Sequence, residues 1–451
     1  MEVTPIFSLA FMAFTQLTID HFLEYFRQAE KPRAQWKLGL EQELIGYDAD
    51  LKHRLTYEGH IRGVLEAFAL RFGWKGYQEG AHLIGLKQYG SSITLEPGGQ
   101  LELSCAPMQT IGEIDAFLKQ YQIQLSEISQ GRGIKWLSIG YDPISHPDQV
   151  GWVPKKRYQV MGEYLPPLGA GAHHMMKTTA TAQSNLDYSS EADMIQKMRA
   201  STAFAPFVGI LFGTSPFAKG QPAGCKSRRG WAWRNMSPQH TGFLDLIFEP
   251  DFGYRQYIEY ILDVPMLVLE RNGEIVDMRG VNFREFIKKG YQGLSPELAD
   301  WPVQLGATFP VARLRNAIET RTCDAGPYAM LLGQAALWKG LLYCQTCLDW
   351  ANEVIAQRGG GFFKELYEQS YCYGFTYLKE HKEYDRLMQE FLEQAQKGLE
   401  RLGQGEEAYL ALVKAIFESR FSLADQLLKG YAQGVSMDQL FEETDLYFAR
   451  G

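Results

Sequence analysis

With 451 residues, 45% of them hydrophobic and 22% charged, the chain has an ordinary folded composition and the length for one large unit or two or three domains. A balance of 45 basic against 53 acidic residues, net -8, argues against a general nucleic-acid surface. The longest apolar runs, such as PIFSLAFMAF near the N-terminus, are too short to span a membrane, and that run lacks a basic signal-peptide flank; a cytoplasmic protein without a membrane partner is expected.

In chain order, residues 1–35 read as helix, with Phe22, Leu23 and Phe26 at helical spacing and Asp20 as a cap. LGLEQELIGY, 38–47, alternates with period two and reads as a strand with Glu41 and Glu43 on one face, about 6.6 Å apart. An amphipathic helix over 59–72 follows. In SSITLEPGGQLELSCAP, 91–107, Ile93, Leu95, Leu101 and Leu103 alternate with polar residues on either side of Pro97-Gly98-Gly99. That is a strand pair with a forced bend, and it sets Glu96 and Glu102 opposite the leucines. Residues 111–130 read as a second amphipathic helix, IKWLSIGYDP as an apolar strand, YLPPLGAGAHH as a loop and 175–186 as another strand. A helix over 191–212 takes Ser189 or Ser190 as N-cap. Residues 213–242 read as a long functional loop carrying Trp231 and Trp233, 263–270 as a strand, and 282–289 and 309–318 as short helical or mixed pieces. Everything from about residue 329 onward reads as helix. Mixed strands and helices followed by a helical tail suit an α+β fold with an antiparallel sheet, residues 1–330 forming the α+β part and 331–451 a helical part packed on it in one continuous globular unit.

Four glutamates on two alternating stretches either hold a hard cation such as Mg²⁺ or form solvated faces of edge strands. Basic residues gather twice: Lys226, Arg228, Arg229 and Arg234, then Arg313, Arg315 and Arg321, and the arginine fork matches carboxylate or phosphate. GQPAGCKS fails the phosphate-loop pattern and GAGAHH the dinucleotide pattern. His173, His174 and His240 lack metal-ligand spacing, so capping or core roles are expected. Cys344 and Cys347 form a C-x-x-C inside LLYCQTCLDW, which reads as buried helix; with no second Cys or His pair at zinc spacing, reduced core thiols are expected.

At this point the residues resemble a family, the plant-type glutamate–cysteine ligases shared by plants and many proteobacteria. LGLEQELIGY, IGLKQYGSSITLEPGGQLELSCAP, MMKTTATAQSNLDYSSEADMIQKMRAS, GILFGTSPFAKGQPAG, DFGYRQYIEYILDVPM, TFPVARLRNAIETRTCDAGP and ALWKGLLY carry the resemblance, in order over roughly residues 36–345. It implies a curved, mostly antiparallel, glutamine-synthetase-like cradle that binds ATP as co-substrate, two or more Mg²⁺ ions and glutamate. By similarity the metal set is Glu41, Glu43, Glu96, Glu102, Gln183 and Glu319, with Glu41, Gln183 and Arg321 beside ATP. Arg321 resembles the arginine on the transferred phosphate and Arg229 the one on the glutamate α-carboxylate, both catalytic; Trp233, Thr181 and Met176 complete the substrate pocket. The implied reaction joins glutamate to cysteine through γ-glutamyl phosphate, the first step of glutathione synthesis, in a monomer or homodimer. Plant members carry a different run where GWAWRNMS stands at 230–237, which leaves an amine other than cysteine, or an inactive binding relative, as alternatives.

Overall fold

Leucine and glutamate alternate along β1 (Leu38–Asp48), and the alternation decides where the strand goes. Leu38, Leu40 and Leu44 are buried on one face, as Leu101 and Leu103 are on a neighbouring strand, so Glu41, Glu43 and Glu102 face the other way. Burying each leucine is worth about 2 kcal/mol, and a one-residue slip would exchange leucines for glutamates in the core. Register is therefore strongly specified.

In the computed structural model, which describes residues 17–450, an open ten-stranded sheet forms around β1 with every pairing antiparallel. Its strands are β1, β2 (Lys75–Glu79), β3 (His82–Gln88), β4 (Ser91–Leu95), β5 (Leu101–Ser104), β6 (Ile134–Leu137) and β7 (Ala182–Leu186). Three short ribbon pairs stand outside it: β8 (Phe217–Ala218) with β9 (Gln221–Pro222), β10 (Thr241–Gly242) with β13 (Phe309–Pro310), and β11 (Val268–Arg271) with β12 (Glu274–Asp277). The sheet is completed by β14 (Ala312–Leu314), β15 (Ile318–Thr320) and β16 (Tyr447–Arg450), in the order β14-β15-β7-β1-β5-β4-β3-β2. β6 pairs with the far half of β1, and β16 with β6.

Helices surround this sheet: α1 (Ile19–Gln28), α2 (Arg62–Phe72), α3 (Ile111–Ser129), α4 (Lys156–Tyr164), α5 (Ala172–Thr178), α6 (Glu191–Leu211), α7 (Arg228–Arg234), α8 (Tyr254–Asp263), α9 (Phe283–Lys289) and α10 (Asp300–Leu305). Then come α11 (Tyr328–Tyr343), α12 (Gln345–Arg358), α13 (Gly360–Tyr373), α14 (Phe375–Glu380) and α15 (Lys382–Leu402), followed by three shorter helices. α11 is apolar on all sides and buried from Met330 to Tyr343, as such a helix must be. The larger core runs from Trp36 to Phe448, so the sheet's leucine face and the late helices share it. A second core gathers Phe22, Phe26, Tyr257 and Trp301 from α1, α8 and α10 against Leu314 and Ile318. Among the described residues no helix is long and apolar enough to cross a membrane.

Several expected elements differ. Part of the helix expected over 1–35, with the PIFSLAFMAF run, lies outside the described residues; α1 starts at Ile19 with Thr18, not Asp20, as N-cap, and stops at Gln28. The β2–β3 hairpin was not expected. In 175–186 only Ala182–Leu186 is strand. Thr178 and Thr179 return their hydroxyls to the His174 and Met175 carbonyls, which lets threonines end α5 despite their strand propensity. Within 213–242, Ser227 caps α7, so the long loop contains a helix. α8 occupies the start of the strand expected at 263–270, and the piece at 309–318 forms strands β13 and β14. The tail is not all helix either, because β16 returns the chain to the sheet.

Candidate active site

Register places the polar side chains of the sheet in rows. Thr94 pairs with Glu102 and Glu102 with Glu43; Ser104 pairs with Glu41 and Glu41 with Gln183; Asn185 pairs with Glu319 and Glu319 with Arg313. Side chains directly opposite on antiparallel strands are about 5 Å apart at Cβ, where like charges repel. Glu96 joins from the bend after β4. There Gly99 adopts φ +80° and donates to the Glu96 carbonyl at 2.9 Å. A Cβ on Gly98 would come within 2.3 Å of the Lys177 carbonyl oxygen, so only glycine lets the turn pack on the end of α5. Arg54, in a buried ion pair with Asp142 at 2.6 Å, donates to the Gly98 carbonyl, and Gln100 accepts from the Gly98 amide. The turn that aims Glu96 is thus fixed from two sides.

Apart from Thr94 and Asn185, the residues of these rows line one cavity of about 660 Å³, and every residue expected in the site lies on its wall. One wall is acidic. Burial, then Glu102 and Glu319, push Glu41 up to about 7 against a hydrogen bond from Asn185. Burial, then Glu96, push Glu102 up to about 7 despite the Thr94 hydroxyl it accepts from, and burial with Glu96 and Glu102 raises Glu43 well above the carboxylate range. Too few cations answer these charges. One of the few is Lys155, which acts on Glu102 and is itself lowered to about 8 by burial, with Glu96 opposing the shift. It donates to the Leu95 carbonyl at 2.8 Å.

The wall built from β14, β15 and Arg321 is basic and self-contained. Arg313 donates to Glu319 through Nε at 2.7 Å and Nη2 at 2.6 Å, with Arg321 at 3.3 Å and Arg315 at 3.6 Å. Burial alone would raise Glu319, but these three guanidiniums hold it below the usual carboxylate value. Arg321 also donates to Gln183 Oε1 at 2.7 Å, and burial, then Arg313, bring it down to about 10. Two members of the expected metal set, Gln183 and Glu319, are therefore engaged in orienting Arg321.

Between the walls stand Arg229 and Trp233 of α7. Arg229 Nη2 donates to the Arg321 carbonyl at 2.7 Å, while its Nε and the indole N–H of Trp233 are buried without a protein partner. Buried donors left unpaired are costly and rare, so two such donors beside a cavity point to a ligand. Met176 lines the cavity; the Thr181 hydroxyl is committed to the Cys323 carbonyl, so its amide, which donates to Glu43 at 3.1 Å, is what Thr181 contributes to the wall. Of the first basic group, Lys226 pairs with Asp425 at 2.6 Å and Arg228 stacks on Trp231 at 3.4 Å, both off the cavity. His173, His174 and His240 hold Gly162, Tyr141 and Ser237, as structural histidines do. Sequence reasoning missed Lys155 and Arg157, although the basic run at 155–157 was a visible signal, and Tyr77 on the unexpected hairpin.

Oxygen donors with uncompensated charge fit a hard cation such as Mg²⁺ better than a transition metal. Among the described residues no three acidic, histidine or cysteine side chains yet converge on one point as ligands would. Glu41, Glu43, Glu96 and Glu102 remain the group whose chemistry fits, since a divalent ion would supply the charge that burial withholds.

Comparison with known proteins agrees with this geometry. The family model for Glutamate-cysteine ligase family 2 matches residues 37–443. The chain is similar to the chloroplastic glutamate–cysteine ligase of Brassica juncea, 35% identical over 439 residues that cover 96% of this chain and 85% of that one. The Arabidopsis thaliana enzyme is 34% identical over 439 residues, 96% and 84%. Among solved structures, a glutamate–cysteine ligase from Francisella tularensis in complex with AMP shares the fold, with TM-score 0.56 and 12% identity over 91% of this chain and 87% of that one. The chain belongs to glutamate–cysteine ligase family 2.

Proposed function

We propose that the chain joins L-glutamate to L-cysteine at the expense of ATP, giving γ-glutamylcysteine, ADP and phosphate, the first step of glutathione synthesis. The observation that carries this reading is the bipolar cavity: an acidic wall short of cations adjoins a basic wall whose arginines are already held in place. ATP with its metal ions and a dicarboxylic amino acid is a ligand set that answers both.

In the first step a γ-carboxylate oxygen of glutamate bonds to the γ-phosphorus of ATP as the bond to ADP breaks. Arg321, held in orientation by Glu319 and Gln183, would meet charge on the transferred phosphoryl group, and such reactions depend on positioning and electrostatics. Arg229 and Trp233, with their spare donors, would hold the α-carboxylate end, with Met176 and the Thr181 backbone beside them. Glu41, Glu43, Glu96 and Glu102 would hold Mg²⁺, whose contribution when bound is neutralisation of phosphate oxygens. In the second step the amine bonds to the acyl carbon and phosphate leaves. Phosphate is a good leaving group, so the chain needs no side-chain nucleophile. The same reading takes the protein to be cytoplasmic, its six cysteines being free as a reducing compartment keeps them, and a monomer or homodimer.

The test is ADP release from ATP and Mg²⁺ with glutamate, with and without cysteine, and mass detection of the product. Release that requires both amino acids, with γ-glutamylcysteine found, is expected. Release better supported by another amine would overturn the second substrate, and no release with any amine would overturn the ligase reading.

A further inference from the structure

α11 and α12 meet at Cys344, which closes one helix and stands at the N-cap of the next. Cys347 lies three residues on, in the first turn of α12, and the two sulfurs touch at 3.2 Å. The sequence reading of a C-x-x-C within one continuous helix is thus corrected: the pair occupies a helix start. A third group completes the cluster. Arg401, in the last turn of α15, sets Nη1 3.7 Å from Cys347 Sγ and 4.0 Å from Cys344 Sγ. The proposed ligase chemistry uses none of these three residues, and among the described residues no further acidic, histidine or cysteine groups join them as a metal site.

The two thiols are not equivalent. Gln345, Thr346 and Arg401 are exposed, so Cys344, 4% accessible, lies one layer beneath the surface, whereas Cys347 is fully covered. A guanidinium and the amide groups of a helix N-terminus both favour thiolate. Burial alone would raise the Cys344 thiol, but hydrogen bonds from Cys347 and Arg401 hold it below the usual thiol value; burial and Cys344 push Cys347 up to about 12. An ionisable outer thiol over a protonated inner one is the division of labour that thiol–disulfide exchange requires.

We propose that Cys344 and Cys347 form a reversible thiol–disulfide site in which Cys344 attacks a low-molecular-weight disulfide and Cys347 resolves the adduct. The Cys344 thiolate bonds to one sulfur of the small disulfide and expels the other half as a thiolate. Cys347 then loses its proton to solvent and bonds to Cys344 Sγ, releasing the second half. Two protein thiols are oxidised to one disulfide and one small disulfide is reduced to two thiols. The cluster stands independently of the ligase cavity.

The experiment treats the full chain with mixtures of reduced and oxidised glutathione, quenches in acid, alkylates and maps the peptides by mass. Two of the six thiols should disappear together, in a peptide linking 344 to 347, and return on addition of dithiothreitol. Cys347→Ser should trap a glutathione adduct on Cys344, and in Cys344→Ser adduct formation at Cys347 should be at least tenfold slower. Arg401→Gln should slow Cys344 alkylation at pH 7 several-fold and move its pH midpoint upward, with Arg401→Lys restoring part of the rate. Six alkylated thiols in the oxidising mixture, or adducts confined to Cys372, would overturn the proposal. Should either serine variant fail to fold, the wild-type peptide map decides alone.

Discussion

The carboxylate wall and the arginine wall grow from the same sheet, yet they treat buried charge in opposite ways. Glu319 has three guanidinium partners within 3.6 Å and is held ionised, so the arginine wall is complete before any ligand arrives. Glu43 and Glu102 sit directly opposite each other, neither has a salt-bridge partner among the described residues, and burial raises both. A site whose basic half is finished and whose acidic half is not is built to receive positive charge on one side and anionic groups on the other. The difference separates residues that position from residues that bind.

The largest effect should come from breaking the finished wall. Glu319→Gln leaves Arg313 and Arg321 buried without their shared anion, and losing one partner of a buried ion pair costs about 3–5 kcal/mol. Urea denaturation should show that loss with or without Mg²⁺; a variant as stable as wild type would mean the pair is dispensable. Glu43→Gln tests the unfinished wall and should split stability from activity. ADP release should fall by about 100-fold, as for loss of a charge-stabilising group, while the metal-free chain melts no lower than wild type because Gln replaces a carboxyl that burial already keeps neutral. Wild-type turnover in this variant would refute the metal cradle. Between the walls, Arg229→Lys replaces a fork by a point charge and should raise the KM for glutamate about tenfold with little change for ATP. Steady-state kinetics in both substrates would expose an unchanged glutamate KM.

The smallest effect is a pH dependence. Glu41 and Glu102 have folded values near 7 against about 4.3 for an unfolded glutamate, so in between the folded chain binds more protons than the unfolded one. Their contribution to stability is present below pH 4 and is lost as pH rises through 7. Melting of the metal-free chain should therefore fall from pH 5 to pH 8, and Mg²⁺ should flatten the decline; a melting point that rises over that range without metal would contradict the electrostatics of the acidic wall.

Much of this was legible residue by residue. Period-two alternation in 38–47 and 91–104 predicted the strands, and with them the face shared by Glu41, Glu43, Glu96 and Glu102, because a pleated strand leaves a side chain two choices and leucine burial removes one. Family resemblance supplied Arg229, Arg321, Gln183 and Glu319, which no local period singles out. The hairpin over 75–88 was not legible: its burial pattern is irregular, and its sheet-edge position is decided by β4 beside it. α5 and α7 were misread for a related reason. Threonine-rich 175–179 and glycine-rich 224–230 carry weak local preferences, and the helices exist because Thr178, Thr179 and Ser227 found backbone partners.

By itself, then, the sequence determined which residue types meet on which strand face, the antiparallel α+β class, and the family to which the chain belongs. It could not determine which charges are answered. Whether a glutamate binds a metal or steadies an arginine depends on what lies within about 4 Å across strands more than a hundred residues apart, as Glu41 and Asn185 do, and Coulomb energies at that range change severalfold with burial. The same holds for Cys344 and Cys347. Their spacing is written in the sequence, but the helix junction that turns it into a pair of unequal thiols, and the Arg401 that reaches both sulfurs, exist only in the folded chain.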